Sequence, residues 1–256
     1  MTRFRFAVPL ALSAACAQAR PAPATGTVAE RPDVFVSLSE IDPTILLEMR
    51  YFGTHNFLGH RVLGYKAEKC ILTRPAAVAL KGVQEDLRPF GLGLKAYDCY
   101  RPQRAVDTFV AWAKDFSDDK MQAEFYPRVP KDRIFREGYL LERSGHSRGS
   151  TIDLTVVPLP PPAQESYKDG DPLRDCGLPA SQRFRDNSLD FGTGYDCFDA
   201  LANVDNPAIQ LDQKVRRVML RALMEKHGFK PYPPEWWHFT LQNEPFPETW
   251  FDFEIE

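Results

Sequence analysis

Between Val157 and Asp190 the chain reads "VPLPPPAQESYKDGDPLRDCGLPASQRFRDNSLD", with six prolines and no sustained periodicity. Proline fixes φ and lacks a backbone N–H, so no helix interior or central ladder can run through such a segment. An excursion of this length is unusual inside a compact domain and is read as a functional or lid-like loop. The fold must be assembled from what flanks it. Upstream, residues 34–51 begin with alternation and read as an edge strand with an extended lead-in. "TRPAAVALKGVQEDLRPFG" spaces Ala76, Leu80, Val83 and Leu87 as one helical stripe, with Pro75 in the first turn and Gly91 as terminator. "LGLKAYDCY" reads as a strand ending at Asp98 or Cys99. A second helix opens at Pro102, with Ala105, Val106, Phe109, Ala113 and Phe116 on its stripe. Downstream, a third helix is predicted with Asn206 as cap, Pro207 in the first turn, Gly228 at the end and Leu211, Val215, Val218 and Ala222 facing inward. "EWWHFTL" closes the pattern as a strand. Helices and strands without regular βαβ alternation point to an α+β fold.

At 256 residues the chain can bury one full core, so one domain is expected. The formal net charge is −3, without a basic run, which leaves no electrostatic footprint for nucleic acid. The first nineteen residues read as an export signal: Arg3 and Arg5 precede the apolar "FAVPLALSAA", and "AQA" offers a small-residue cleavage site. "LSAAC" also resembles a lipoprotein box, which would place a lipid anchor on Cys16. Residues 20–33 then form a proline-rich linker to a folded domain at 34–256. No later segment approaches the roughly 18 apolar residues of a membrane span. An exported, periplasmic protein retains Cys70, Cys99, Cys176 and Cys197, an even number in an oxidising compartment. The expected disulfides are Cys70–Cys99 and Cys176–Cys197.

The chemistry centres on "SGHSRGSTIDLT" at 144–155. Its His146 and Asp153 need a third ligand to make a metal site, and only five histidines exist. His227 sits in the last turn of a helix, where an imidazolium complements the dipole. His55 and His60 flank "NFLG" in a turn-like region and are expected at the surface. His238 remains. A catalytic zinc wants three nitrogen or oxygen ligands and an open position, which His146, Asp153 and His238 supply. Asp153 lies in an apolar, β-branched strand, where a carboxylate needs a charged partner. Gly145 and Gly149 would let the backbone approach a ligand, and Ser144 and Ser147 could donate to it. Glu235 is the natural base, although strand positions three apart point to opposite faces. It must therefore sit in a bend ahead of the strand, which "PYPPE" provides.

These motifs together resemble the VanX-type D-alanyl-D-alanine dipeptidases, zinc peptidases of the wider D-Ala-D-Ala carboxypeptidase and hedgehog-like group. The likeness includes "RYFGTHNFLG" at 50–59, "YDCYRPQRAVDTFVAWA" at 97–113 and "DFGTGYDCFD" at 190–199, and it breaks after Val157. The resemblance implies a single α+β domain with a central antiparallel sheet flanked by helices. It implies one Zn²⁺ on His146, Asp153 and His238, with Glu235 as base and Arg101 stabilising the tetrahedral intermediate. Tyr51, Ser144 and Asp196 would line the substrate pocket, with Asp196 receiving the ammonium of a small D,D-dipeptide.

The chemistry is coherent. Zinc brings a water's pKa to about 7, a glutamate can move the proton, and a guanidinium's forked donors suit an oxyanion. A salt bridge from Arg101 to Asp98 is the plain structural alternative for that arginine. Three other functions compete: a D,D-carboxypeptidase on peptidoglycan stem peptides, a zinc-containing binding protein without hydrolysis, and a cysteine hydrolase using Cys99. Glu235 and Arg101 argue against the second, and oxidation of Cys99 against the third.

Overall fold

A computed structural model describes residues 27–256. The leader, Cys16 and the first part of the linker lie outside the described residues. The elements follow in the order β1 (Thr27–Val28), β2 (Phe35–Ser37), α1 (Leu38–Ile41), β3 (Leu46–Leu47), β4 (Ile71–Thr73), α2 (Arg74–Leu87), β5 (Leu92–Asp98) and α3 (Gln103–Lys114). Then come α4 (Gln122–Phe125), α5 (Lys131–Ile134), β6 (Thr151–Pro158), α6 (Leu211–Lys226), β7 (Phe229–Tyr232), β8 (Glu235–Leu241) and β9 (Trp250–Phe251). The central sheet has the order β3-β5-β6-β8-β7; every neighbouring pair is antiparallel except β3 with β5. The architecture is the expected α+β domain with a mainly antiparallel centre.

Strand β6 organises the molecule. Ile152, Leu154 and Val156 point to one face, where they join Ala76, Leu80 and Val83 of α2 and Leu220 and Met224 of α6 in one core. The alternate positions Thr151, Asp153 and Thr155 therefore face the other way, and they too are buried. A second, aromatic core holds Tyr51, Phe57, Phe109, Trp112 and Phe198. The expected disulfides are both present, closing loops of 29 and 21 residues. Each contributes roughly 3 kcal/mol in the chain-entropy picture.

Helix α6 corrects the sequence reading. Leu211, Val215, Val218 and Ala222 lie on its exposed face, and the inward positions are Gln213, Arg217, Leu220 and Met224. Both stripes have 4-3-4 spacing, so periodicity cannot choose between them. Partners in the loop decide it: Arg217 donates to the carbonyls of Phe191, Asn203 and Leu201, and Gln213 donates to Asp190. Asn206 is not the cap. Its Oδ1 accepts from Ala208 N in a preceding turn, and Gln210 and Gln213 close a capping box at the true start. Phe116 lies beyond the end of α3 and is exposed, while Trp112 takes the inward position.

The proline-rich segment contains no helix or strand after β6 ends at Pro158. Its polar groups meet the sheet instead. The Lys95 ammonium, 2% exposed, is bonded by Glu48, Gln164, Asp186 and Asn187 at 2.7–3.0 Å. Asp186 also pairs with Arg50 and accepts from Tyr97. His55 is corrected by the same region. It is buried, stacked on Tyr167, and bonded to Glu124 at 2.8 Å and Arg50 at 3.1 Å. His60 is exposed, as expected, and His227 bonds Asp86 at 2.7 Å.

Candidate active site

Asp153 and His238 are cross-strand partners in β6 and β8, which places both side chains on the sheet face opposite the α2–α6 core. His146 comes from a turn just ahead of β6. Ser144 caps that turn by accepting from His146 N at 3.2 Å, and Gly149 ends it in the left-handed region at φ 81°. The two glycines serve packing more than ligand approach. A Cβ on Gly149 would come within 2.0 Å of the Phe35 ring, and one on Gly145 within 2.7 Å of Thr151 Oγ1. Ser144 lines the pocket, whereas Ser147 is fully buried away from it.

The bend expected ahead of β8 takes another form. Pairing passes from Pro231 opposite Phe239 to Tyr232 opposite Glu235, so residues 236–238 form a bulge in the strand itself. A bulge re-aims side chains and breaks the alternation of faces. Glu235 Oε2 consequently lies 3.3 Å from His238 Nδ1. A smaller irregularity between Ala96 and Asp98 brings Asp98 opposite Asp153.

Around the triad, His146 Nε2 and His238 Nδ1 are 3.3 Å apart, and Asp153 Oδ1 is 3.3 Å from the first and 3.1 Å from the second. Ligand distances of about 2.0–2.2 Å in a tetrahedron give edges of about 3.3 Å, so the donor set fits zinc. The protons fit as well. His146 Nδ1 donates to the Cys99 carbonyl at 2.7 Å, which leaves Nε2 with its lone pair toward the triad. Asp153 Oδ1 is buried without a hydrogen-bond partner, a costly state that a cation relieves. Burial alone would raise the Asp153 pKa, but the two imidazoles hold it far below the carboxylate range. Burial opposes charge on His238, and the Asp153 and Glu235 carboxylates beside it outweigh this, raising its pKa to about 9. The site is built to carry positive charge.

A cavity of about 230 Å³ opens onto Asp153 and His238 of the triad. Its walls include Tyr51, Arg101, Ser144, Asp196, Glu235 and His238, all named from sequence. Arg101 is also in the salt bridge considered above, with Nε and Nη2 each 2.8 Å from Asp98 Oδ2. The pairing aims the guanidinium rather than removing it, since Nη2 still reaches within 3.6 Å of Asp153. Asp196 occupies a left-handed conformation, φ 54°, unusual for a residue other than glycine. Its Oδ2 accepts from the Tyr51 hydroxyl at 2.8 Å. Burial, with Asp153 adding repulsion, pushes the Asp196 pKa well above the usual range, so without a cation beside it this carboxyl tends to keep its proton.

The site departs from the sequence reading at three points. The segment Gly138–Leu141 forms a wall, tied down by Tyr232, whose hydroxyl donates to the Gly138 carbonyl at 2.9 Å. Residues 157–190, read as lid-like, contribute nothing to the lining. The third is Tyr195, whose hydroxyl donates to Asp153 Oδ2 at 2.9 Å. Its adjacency to Asp196 was the one available signal.

Comparison with known proteins agrees with this geometry. The D-Ala-D-Ala dipeptidase family profile matches residues 32–159 and 182–256, leaving out the middle of the proline-rich excursion. A D-alanyl-D-alanine dipeptidase of Streptomyces coelicolor is 35% identical over 86% of this chain and 98% of its own. Those of Enterococcus faecalis and Enterococcus faecium are 32% and 31% identical, over 86% and 87% of this chain and 98% of theirs. With most of its length matched and a metal-competent triad beside its cavity, the chain belongs to the D-Ala-D-Ala dipeptidase family of metallopeptidases.

Proposed function

We propose that this chain is a zinc peptidase that hydrolyses D-alanyl-D-alanine and related D,D-dipeptides, exported to an oxidising compartment. One zinc ion would be held by His146, Asp153 and His238. The observation that carries the reading is the Asp153 Oδ1 atom, buried and unbonded between two imidazole nitrogens at 3.1 and 3.3 Å. The names of the relatives supply the substrate, and their nearly full coverage supports a whole-enzyme comparison. The two disulfides and the leader-like residues 1–19 support export.

When bound, zinc supplies Lewis acidity that brings the pKa of a water to about 7. Glu235, at the mouth of the bulge, takes a proton from the attacking water and returns it to the departing amine. A C–O bond forms while the carbonyl π pair moves onto its oxygen, and the amide C–N bond breaks as that pair returns and the carbonyl re-forms. Arg101, aimed by Asp98, donates to the carbonyl oxygen as it gains charge. Asp196 pairs with the substrate ammonium, and Tyr51 and Ser144 complete the pocket. The test is turnover of D-Ala-D-Ala and L-Ala-L-Ala by the purified protein, with zinc and after chelation. Zinc-dependent cleavage confined to the D,D-dipeptide is expected. Preference for the L,L-dipeptide, or full activity after verified removal of metal, contradicts the proposal.

A further inference from the structure

We infer that Tyr195 is a positioning residue for the metal site, its hydroxyl holding Asp153 so that a single carboxylate oxygen faces the cation. This rests on the zinc reading above and concerns a side chain that the reading does not use. The two oxygens of Asp153 have different surroundings. Oδ2 accepts from Tyr195 Oη at 2.9 Å and has Arg101 Nη2 at 3.6 Å. Oδ1 receives no hydrogen bond and faces the nitrogens of His146 and His238. A carboxylate without such a donor can turn about its Cβ–Cγ bond or offer both oxygens to a metal. The phenol removes that freedom, in the way that outer partners orient metal ligands generally.

The tyrosine is itself held. Its ring is buried, stacked on Tyr97 at 4.4 Å with planes 20° apart, and meets Trp237 edge-on at 5.5 Å. The Tyr97 hydroxyl donates to Asp186, which Lys95 and Arg50 fix at 2.7 and 3.1 Å. A carboxylate from the proline-rich excursion thus braces the ring pair that ends on the metal ligand. The backbone explains why one short segment can serve two purposes. Asp196, next in the chain, is left-handed, and it lines the cavity while Tyr195 reaches Asp153. Adjacent residues address the metal ligand and the substrate end of the same site.

Tyr195→Phe removes one oxygen and keeps the stacked ring. The zinc dissociation constant of full-length protein, measured by competition with a chromophoric chelator, is expected to rise about 10- to 100-fold. The cobalt-substituted variant should absorb more weakly in the visible, because binding through both oxygens raises the coordination number and four-coordinate cobalt absorbs most strongly. A zinc constant within twofold of wild type, with a superimposable cobalt spectrum, overturns the inference whatever happens to thermal stability. His146→Ala separates the two readings: if it empties the site while Tyr195→Phe keeps full affinity, the zinc reading stands and this one falls. If the wild-type protein holds no stoichiometric zinc, both fall together.

Discussion

Acetylating the amino group of D-Ala-D-Ala tests the role of Asp196. The carboxyl is 5% exposed, bonded by Tyr51, and faces a cavity of only about 230 Å³. An ammonium there gains a charged, largely desolvated partner, and breaking such a pair commonly costs about 3–5 kcal/mol. The low end applies. Burial and the neighbouring Asp153 already push the Asp196 pKa well up, so a carboxyl deprived of its cation can take a proton instead of remaining an unpaired anion. About 3 kcal/mol corresponds to on the order of 10²-fold in kcat/KM, at 1.36 kcal/mol per decade. The assay follows release of free D-alanine from D-Ala-D-Ala and its N-acetyl derivative. Asp196→Asn is the informative variant, because asparagine tolerates the left-handed backbone where alanine would add strain. It should lose about 10² on the free dipeptide and little on the acetylated one, closing the gap. Equal kcat/KM values for the two substrates in the wild-type enzyme would refute the reasoning and favour the carboxypeptidase alternative.

Arg101→Ala should impair both rate and stability, since Asp98 is fully buried and would keep only its bond from Tyr65 and the nearby His146. A loss of about 3 kcal/mol in denaturant unfolding is expected, with kcat falling in the protein that remains folded; an unchanged kcat with raised KM would make Arg101 a ground-state binder. Asp186 sets an acid-stability limit. Burial opposes its ionisation, but Lys95 and Arg50 outweigh this and depress its pKa to about 2, against 3.8 ordinarily. The unfolded chain therefore binds the proton more tightly, so the contribution of about 2 kcal/mol is present above pH 4 and lost as pH falls toward 2. Asp186→Asn should flatten that part of the stability–pH curve; parallel curves for the two proteins would contradict it.

The parts of the molecule that announce themselves in sequence are those whose local pattern has one physical solution. Helix α2 has a single apolar stripe with proline at its start and glycine after its end, and it forms where expected. In β6 the alternation of Ile152, Asp153 and Leu154 puts a carboxylate back to back with a core, so a charged partner was legible from one strand. Helix α6 has two stripes of equal spacing, and the choice depends on three loop carbonyls that Arg217 satisfies. No local pattern encodes that. His55 was misplaced for the same reason: its partners Glu124 and Tyr167 lie 69 and 112 residues away in the chain. Glu235 was legible as a residue, but its geometry depends on a bulge defined by pairing with β7. Tyr195 escaped notice because its ring partners, Tyr97 and Trp237, are distant in the chain and its own neighbours form no distinguishing pattern.

The central claim is that His146, Asp153 and His238 hold zinc while Glu235 moves the proton. Elemental analysis and D-Ala-D-Ala turnover on the same preparations of wild type, His146→Ala, His238→Ala and Glu235→Ala address it together. The account predicts one zinc per chain in wild type and Glu235→Ala, most metal lost from either histidine variant, and hydrolysis in the wild type alone. Full zinc content in both histidine variants, or near-normal turnover by Glu235→Ala, would contradict it.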